Sequence, residues 1–134
     1  MRAKRNRVKW RRYLVTGGTG FLGSALVRWP VFENARIRIL DNDMRGAARR
    51  LSDVSGRIDL IRADIRDPAA VRRASKGMDA VVHFAYLNGT EFFYTRPDLV
   101  LDIGVKSMVN VLDACIDEGI HCWRTKCGCR RRWC

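Results

Sequence analysis

The run Gly17-Gly18-Thr19-Gly20-Phe21-Leu22-Gly23 constrains this chain more than any other feature. It follows a short apolar and β-branched segment, Tyr13 to Thr16, and it opens an apolar helical stripe of Phe21, Leu22, Ala25 and Leu26. The segment therefore reads as strand, tight turn and helix. Two glycine fingerprints overlap here, G-x-x-G-x-x-G from Gly17 and G-x-G-x-x-G from Gly18. Such a turn needs glycine for unusual backbone angles, for close approach of a pyrophosphate to the amides, and for tight helix–strand packing. The following helix N-terminus adds unpaired N–H groups and partial positive charge for the phosphates. Asp41 closes the next apolar run eighteen residues after Gly23, where a carboxylate reaches the ribose hydroxyls of an adenosine. A carboxylate repels a 2′-phosphate, so Asp41 favours NAD over NADP, while Arg45 and the pair Arg49 and Arg50 keep the phosphate-bearing form open.

Further strands follow at helical separations. Arg36 to Leu40 alternates arginine and isoleucine before Asp41, and Ile58 to Ile61 is a third strand after a polar stretch with room for a helical turn. Asp67-Pro68 begins a helix, with an N-cap and a first-turn proline, that runs to about Lys76 before Gly77. Ala80 to Ala85 is apolar enough to be buried on both faces, as central parallel strands are. An irregular aromatic segment comes next. Then Val105, Met108, Val109, Leu112, Cys115 and Ile116 recur at steps of three and four, predicting a helix from about Pro97 to Glu118 with Gly119 as its C-cap. The alternation predicts an α/β, Rossmann-like parallel sheet of about four strands in the order 3-2-1-4, with helices on both faces.

The net charge lies at the ends. The chain has 134 residues, 26 Lys and Arg against 14 Asp and Glu, and a net charge of +12. Residues 1–12 hold seven basic groups, residues 122–134 hold five, and neither segment has an acid, so the 13–121 body is neutral. That body suits a small-molecule domain. No apolar run approaches the ~20 residues of a membrane span. The basic head lacks the apolar region of a secretory signal, having only Tyr13-Leu14-Val15 before the glycines. The reading is accordingly a cytoplasmic protein with three segments: a basic arm (1–12), an incomplete dinucleotide-binding domain (13–121) and a Cys/Arg-rich tail (122–134).

Four segments in order carry a family resemblance: Tyr-Leu-Val-Thr-Gly-Gly-Thr-Gly-Phe-Leu-Gly at 13–23, Leu-Asp-Asn at 40–42, Ala-Asp-Ile-Arg-Asp at 63–67 and Val-Val-His-Phe-Ala at 81–85. Over residues 10–120 the chain resembles the extended short-chain dehydrogenases, the NAD-dependent epimerase/dehydratase family, which acts largely on nucleotide sugars. The resemblance implies Gly17, Gly20, Phe21 and Leu22 at the pyrophosphate, with Gly23 closing the fingerprint. It implies Asp41 and Asn42 at the adenosine ribose, Asp64 and Ile65 at the adenine, and Phe84, Ala85 and Tyr86 on the nicotinamide side. Family members usually carry a second alanine where Tyr86 stands and often an asparagine near Gly104.

The family's catalysis uses a tyrosine whose phenol is made acidic by a lysine four residues later, with a Ser or Thr nearby. Here Tyr13, Tyr86 and Tyr94 are followed at that spacing by Gly17, Thr90 and Asp98, so no Tyr-x-x-x-Lys exists and no catalytic residue is assigned. Histidine in general titrates near neutrality and can serve as acid or base, but the resemblance makes His83 a structural residue at a strand end. Asn88, Glu91, Phe92, Phe93 and Tyr94 either line a substrate cleft beyond the strand ends or cover the core. Met108 and Cys115 lie on the helical stripe and read as core.

The ends admit several readings. Cys122, Cys127, Cys129 and Cys134 supply four thiols, but their spacing differs from the two-to-four-residue pairs of structural zinc sites, and no metal is assigned. The composition changes abruptly at Cys122, where a strand leading to a catalytic half should begin, which suggests a truncated or frameshifted reading frame. Without that strand the fourth strand would be an exposed edge open to aggregation or dimerisation. The basic head could meet phosphate backbones, with Trp10 stacking on a base, but no nucleic-acid motif accompanies it. The leading expectation is the NAD-binding part of a nucleotide-sugar epimerase or dehydratase, not catalytically competent alone. The competing ones are a non-catalytic NAD-sensing or partner-binding module and a non-functional truncated product.

Overall fold

The computed structural model describes residues 11–29, 34–87, 89–120 and, for the backbone alone, 122–125. Most of the basic arm, the tail beyond Thr125 and Asn88 lie outside the described residues. Five parallel strands form one sheet in the order β3-β2-β1-β4-β5. They are β1 Arg12–Thr16, β2 Arg36–Asp41, β3 Ile58–Arg62, β4 Ala80–His83 and β5 Cys122–Thr125. The expected order 3-2-1-4 is present, and the strand count is one higher than expected. The backbone of Cys122–Thr125 pairs with Ala80–His83, so β4 is not an edge. The change of composition at Cys122 falls within a sheet strand.

The connections are α1 Phe21–Leu26, a 3-10 helix Ala48–Arg57, α2 Pro68–Ser75, α3 Thr90–Thr95, α4 Pro97–Leu101, a π-helical segment Asp102–Lys106 and α5 Ser107–Asp117. The helix expected from Pro97 to Glu118 is thus one helical course with a π-helical middle. The aromatic segment expected to be irregular contains α3, which starts beside Gly89 at φ +139°.

Alternating side chains serve both faces of the sheet. Tyr13, Val15, Ile37, Ile39 and Ala80 pack with Val27, Leu51 and Val54 on one face. Leu14, Leu40 and Val81 pack with Val71, Ala74, Val111, Ala114 and Cys115 on the other. Right-handed crossovers account for this division, because the chain moves outward from β1 to β3 over one face and returns to β4 and β5 over the other. One of the two arginines in β2 is used structurally. Arg38 pairs with Asp59 at 2.8 Å and donates to the Ala74 and Lys76 carbonyls at 2.9 and 3.1 Å, holding the C-terminal end of α2.

Caps set the start of α2 and the end of α5. The Asp67 carboxylate accepts from the Ala69 N–H at 2.9 Å, with Pro68 at the first helical position. At the far end of α5, the Ile120 N–H donates to the Cys115 carbonyl and the Gly119 N–H to that of Ile116, with Gly119 at φ +63°. This is the paired C-terminal closure that glycine allows, and Ile120 and Cys115 share the core behind it.

Candidate functional site

The glycine run wraps the C-terminal end of β1. Gly17 sits at φ +71°, donates to the Leu40 carbonyl at 2.9 Å, and a Cβ there would lie 2.6 Å from the Ala85 nitrogen. A Cβ at Gly18 would fall 2.5 Å from Ile39 Cγ2, and one at Gly23 2.4 Å from the Gly17 oxygen. These three glycines are therefore required by packing of the turn against β2, the segment after β4 and α1. Gly20 differs, because a Cβ there meets only the Gly17 oxygen, at 3.2 Å. Gly20 lines a cleft at the C-terminal strand ends, so its missing side chain leaves open space in that cleft.

Nine of the twelve residues assigned by resemblance line that cleft. They are Gly17, Gly20, Asp41, Asn42, Asp64, Ile65, Phe84, Ala85 and Tyr86. Phe21, Leu22 and Gly23 do not line it. The Phe21 and Leu22 side chains are 80% and 43% exposed. What they and Gly23 offer is backbone, since the first N–H groups of a helix have no intrahelical acceptor.

Asp41 is anchored in place. One carboxylate oxygen accepts from the Thr19 N–H at 3.0 Å and the other from the Asp43 N–H at 2.9 Å. A carboxylate has about four acceptor sites, so two remain for ligand hydroxyls. Asp64 is bound more tightly. Arg66 donates through Nε to Oδ1 at 3.0 Å and through Nη2 to Oδ2 at 2.7 Å, and reaches Asp102 in the π-helical segment at 2.9 Å. These bonds from Arg66 pull the Asp64 carboxyl below its ordinary range. Asn110 on α5 donates to the Ile65 carbonyl at 3.0 Å, fixing the loop after β3.

His83 faces away from solution chemistry. It is buried, with Nδ1 2.6 Å from Thr16 Oγ1 and Nε2 3.4 Å from Ser107 Oγ. Burial alone pushes its pKa down to about 4, which keeps the imidazole neutral and structural near pH 7. The Phe84 N–H donates to the Thr16 carbonyl and the Ala85 N–H to Thr16 Oγ1, so the segment after β4 is fastened to the end of β1.

Sequence reasoning missed several cleft residues: Met44, Gly46, Leu87 and Ile103, and Arg45 as a wall residue. Met44, Arg45 and Gly46 follow Asp41 and Asn42 directly, which is the signal that could have found them. A second hollow adjoins the cleft and shares Tyr86 and Leu87 with it, adding Gly89, Thr90, Phe93, Tyr94 and Val100. Of the aromatic residues considered for a substrate cleft, Phe93 and Tyr94 line this hollow, whereas Phe92 packs against the core. Glu91 lines neither, and Asn88 is outside the described residues.

The sequence model of the NAD dependent epimerase/dehydratase family matches residues 13–129. The chain belongs to this family. It is 33% identical over 113 residues to a dTDP-glucose 4,6-dehydratase of Mycobacterium tuberculosis, covering 82% of this chain and 34% of that protein. It is 31% identical over 110 residues to the rat (Rattus norvegicus) 3 beta-hydroxysteroid dehydrogenase type 7, covering 80% and 32%. A solved UDP-glucose 4-epimerase of Thermus thermophilus, in complex with NAD, superimposes with a TM-score of 0.76 at 29% identity, covering 84% of this chain and 36% of that one. The chain spans about a third of the length of these relatives. Among the described residues, no helix is long and apolar enough to cross a membrane.

Proposed function

We propose that these 134 residues bind NAD along the C-terminal strand ends and supply the cofactor site of an epimerase- or dehydratase-type oxidoreductase. One observation carries the reading: Asp41, pinned by the Thr19 N–H of the glycine turn, stands in the same cleft as Gly20, whose missing Cβ leaves the cleft floor open. The residues present fit a dinucleotide. The turn and the start of α1 present backbone N–H groups to a pyrophosphate, Asp41 and Asn42 present acceptors to a ribose diol, and Ile65 and Ile103 give an adenine an apolar wall beside Asp64. Phe84, Ala85 and Tyr86 line the other end, toward β4.

Bound NAD supplies a reversible hydride acceptor at its nicotinamide. Nucleotide sugars are the substrate class we assign to the complete activity, on the dehydratase and epimerase relatives. The steroid dehydrogenase relative, which matches the same segment, supports reading the matched third as the cofactor-binding part rather than the substrate-specific one. Because Tyr-x-x-x-Lys does not occur in these residues, we expect cofactor binding without turnover.

Thermal unfolding with and without saturating NAD, and again with NADP, tests the reading. At a hundred times the dissociation constant, a ligand adds about 2.7 kcal/mol, which is a shift of several degrees for a domain of this size. A cooperative transition raised more by NAD than by NADP is the expected result. A transition that neither dinucleotide moves refutes the reading.

A further inference from the structure

We infer that Arg45 is a cationic clamp on the dinucleotide's phosphates, a role that rests on the NAD-binding reading above. The loop that carries it is docked directly on the glycine turn. A Cβ at Gly46 would lie 1.9 Å from Thr19 Oγ1, and the Ala47 N–H donates to the Thr19 carbonyl at 3.1 Å. Glycine at 46 is what lets this loop lie against the turn, and that contact delivers Arg45 to the cleft wall.

From there the side chain reaches the segment that follows β4. Its Cζ lies over the Phe92 ring, 5.3 Å from the centroid, and its Nη1 is 3.2 Å from where a Cβ at Gly89 would stand. Gly89, at φ +139°, holds a backbone conformation that a side chain would oppose, so glycine both makes the turn and leaves room for the guanidinium. Arg45 departs from the loop after β2, whereas Gly89 and Phe92 follow β4, and β1 lies between those strands. The guanidinium thus spans the strand whose end carries the phosphate-binding turn.

The charges around the cleft leave Arg45 available. It is the one Lys or Arg among the described residues that line the cleft, where Asp41 and Asp64 add negative charge. Arg66 already occupies Asp64. Among the described residues Arg45 has no carboxylate partner and none of its side-chain N–H donors has an acceptor; the group its guanidinium engages is the Phe92 ring. A ring face engages the positive charge but accepts no N–H in the guanidinium plane, so Phe92 holds the group in position with its donors uncommitted. Two phosphates entering a cleft that already holds two carboxylates need a cation, and a planar guanidinium matches phosphate oxygens in pairs. The same topology argues against a 2′-phosphate as its target, because the ribose acceptor Asp41 ends β2 and the guanidinium lies on the β4 side.

The test is calorimetric titration of the 134-residue chain with NAD, NADP, ADP and adenosine, in the wild type and in Arg45→Met, Arg45→Lys and Phe92→Leu. Arg45→Met is expected to weaken NAD and ADP by about 10- to 100-fold, the worth of one or two charge-assisted hydrogen bonds, and to leave adenosine within about twofold. Arg45→Lys falls between, and Phe92→Leu weakens ADP by less than Arg45→Met. Unaltered NAD and ADP affinity in Arg45→Met overturns the clamp, as does an equal loss for adenosine or a loss confined to NADP. Wild-type protein that binds none of the four ligands refutes the dinucleotide reading itself, before any variant is compared.

Discussion

The Tyr86 ring occupies the space that a side chain at position 104 would need: a Cβ built on Gly104 lies 2.8 Å from Tyr86 Cε2. Tyr86 follows β4 and Gly104 lies in the π-helical segment, so the pair joins the cleft's far end to the helical course beside it. The resemblance implies a second alanine where Tyr86 stands and often an asparagine near Gly104. A large ring at 86 and a side chain at 104 compete for the same space.

That coupling is measurable. Glycine in a helix costs about 0.5–1 kcal/mol relative to alanine, so Gly104→Ala should stabilise the fold by that amount when Tyr86→Ala has removed the ring. With Tyr86 present, the gain should be largely cancelled as the ring is displaced. Urea unfolding of the four members of the cycle checks this. An identical effect of Gly104→Ala in both backgrounds contradicts the pairing.

Gly17 and Gly20 should separate folding from binding. Gly17→Ala forces a side chain into a left-handed conformation and against the backbone at Ala85, 2.6 Å away, a combined cost of about 2–4 kcal/mol. Gly20→Ala meets one oxygen at 3.2 Å and should melt within a few degrees of the wild type. It should nonetheless lose most of the NAD-induced shift, because its methyl group enters the cleft. Thermal unfolding with and without NAD reads both effects.

The elements legible in the sequence are those with local signals. The glycine run, the Asp67-Pro68 start and the closure at Gly119 set their own backbone geometry, and β4 is apolar enough to be central. β5 was hidden because Cys122-Trp123-Arg124-Thr125 has no apolar alternation, and its pairing comes from β4. α3 was hidden because Thr-Glu-Phe-Phe-Tyr-Thr favours extended structure locally, and only the turn at Gly89 and packing of Phe92 commit it to a helix. The cleft was legible where resemblance supplied positions. The roles of Arg66 and Arg45 were not, because their partners Asp102 and Phe92 are distant in sequence.

Asp41 should govern both local order and cofactor choice. Asp41→Ala leaves the Thr19 and Asp43 N–H groups without their acceptor, which at about 0.5–1.5 kcal/mol for each bond costs roughly 1–3 kcal/mol. The same change removes the charge that disfavours a 2′-phosphate. In the variant, NADP should raise the melting temperature at least as much as NAD does. A preference for NAD equal to that of the wild type assigns the discrimination elsewhere.

His83 predicts acid sensitivity in a defined window. Its pKa falls from 6.5 to about 4 on folding, so the unfolded chain binds a proton that the folded chain refuses. Stability from this group is full above pH 6.5, declines as pH drops toward 4, and then levels off, for a loss of about 3 kcal/mol. Asp53, Asp64, Asp79, Asp98 and Asp102 all have carboxyl pKa values lowered from 3.8 by arginine or lysine partners, so their losses begin near the bottom of this window and deepen below it. Urea unfolding between pH 7.5 and 4.5 isolates the histidine. His83→Asn keeps a polar group near Thr16 without a titrating ring, so it should begin less stable than the wild type at pH 7.5 and show a nearly flat profile. A profile as steep as that of the wild type would place the proton uptake on another group.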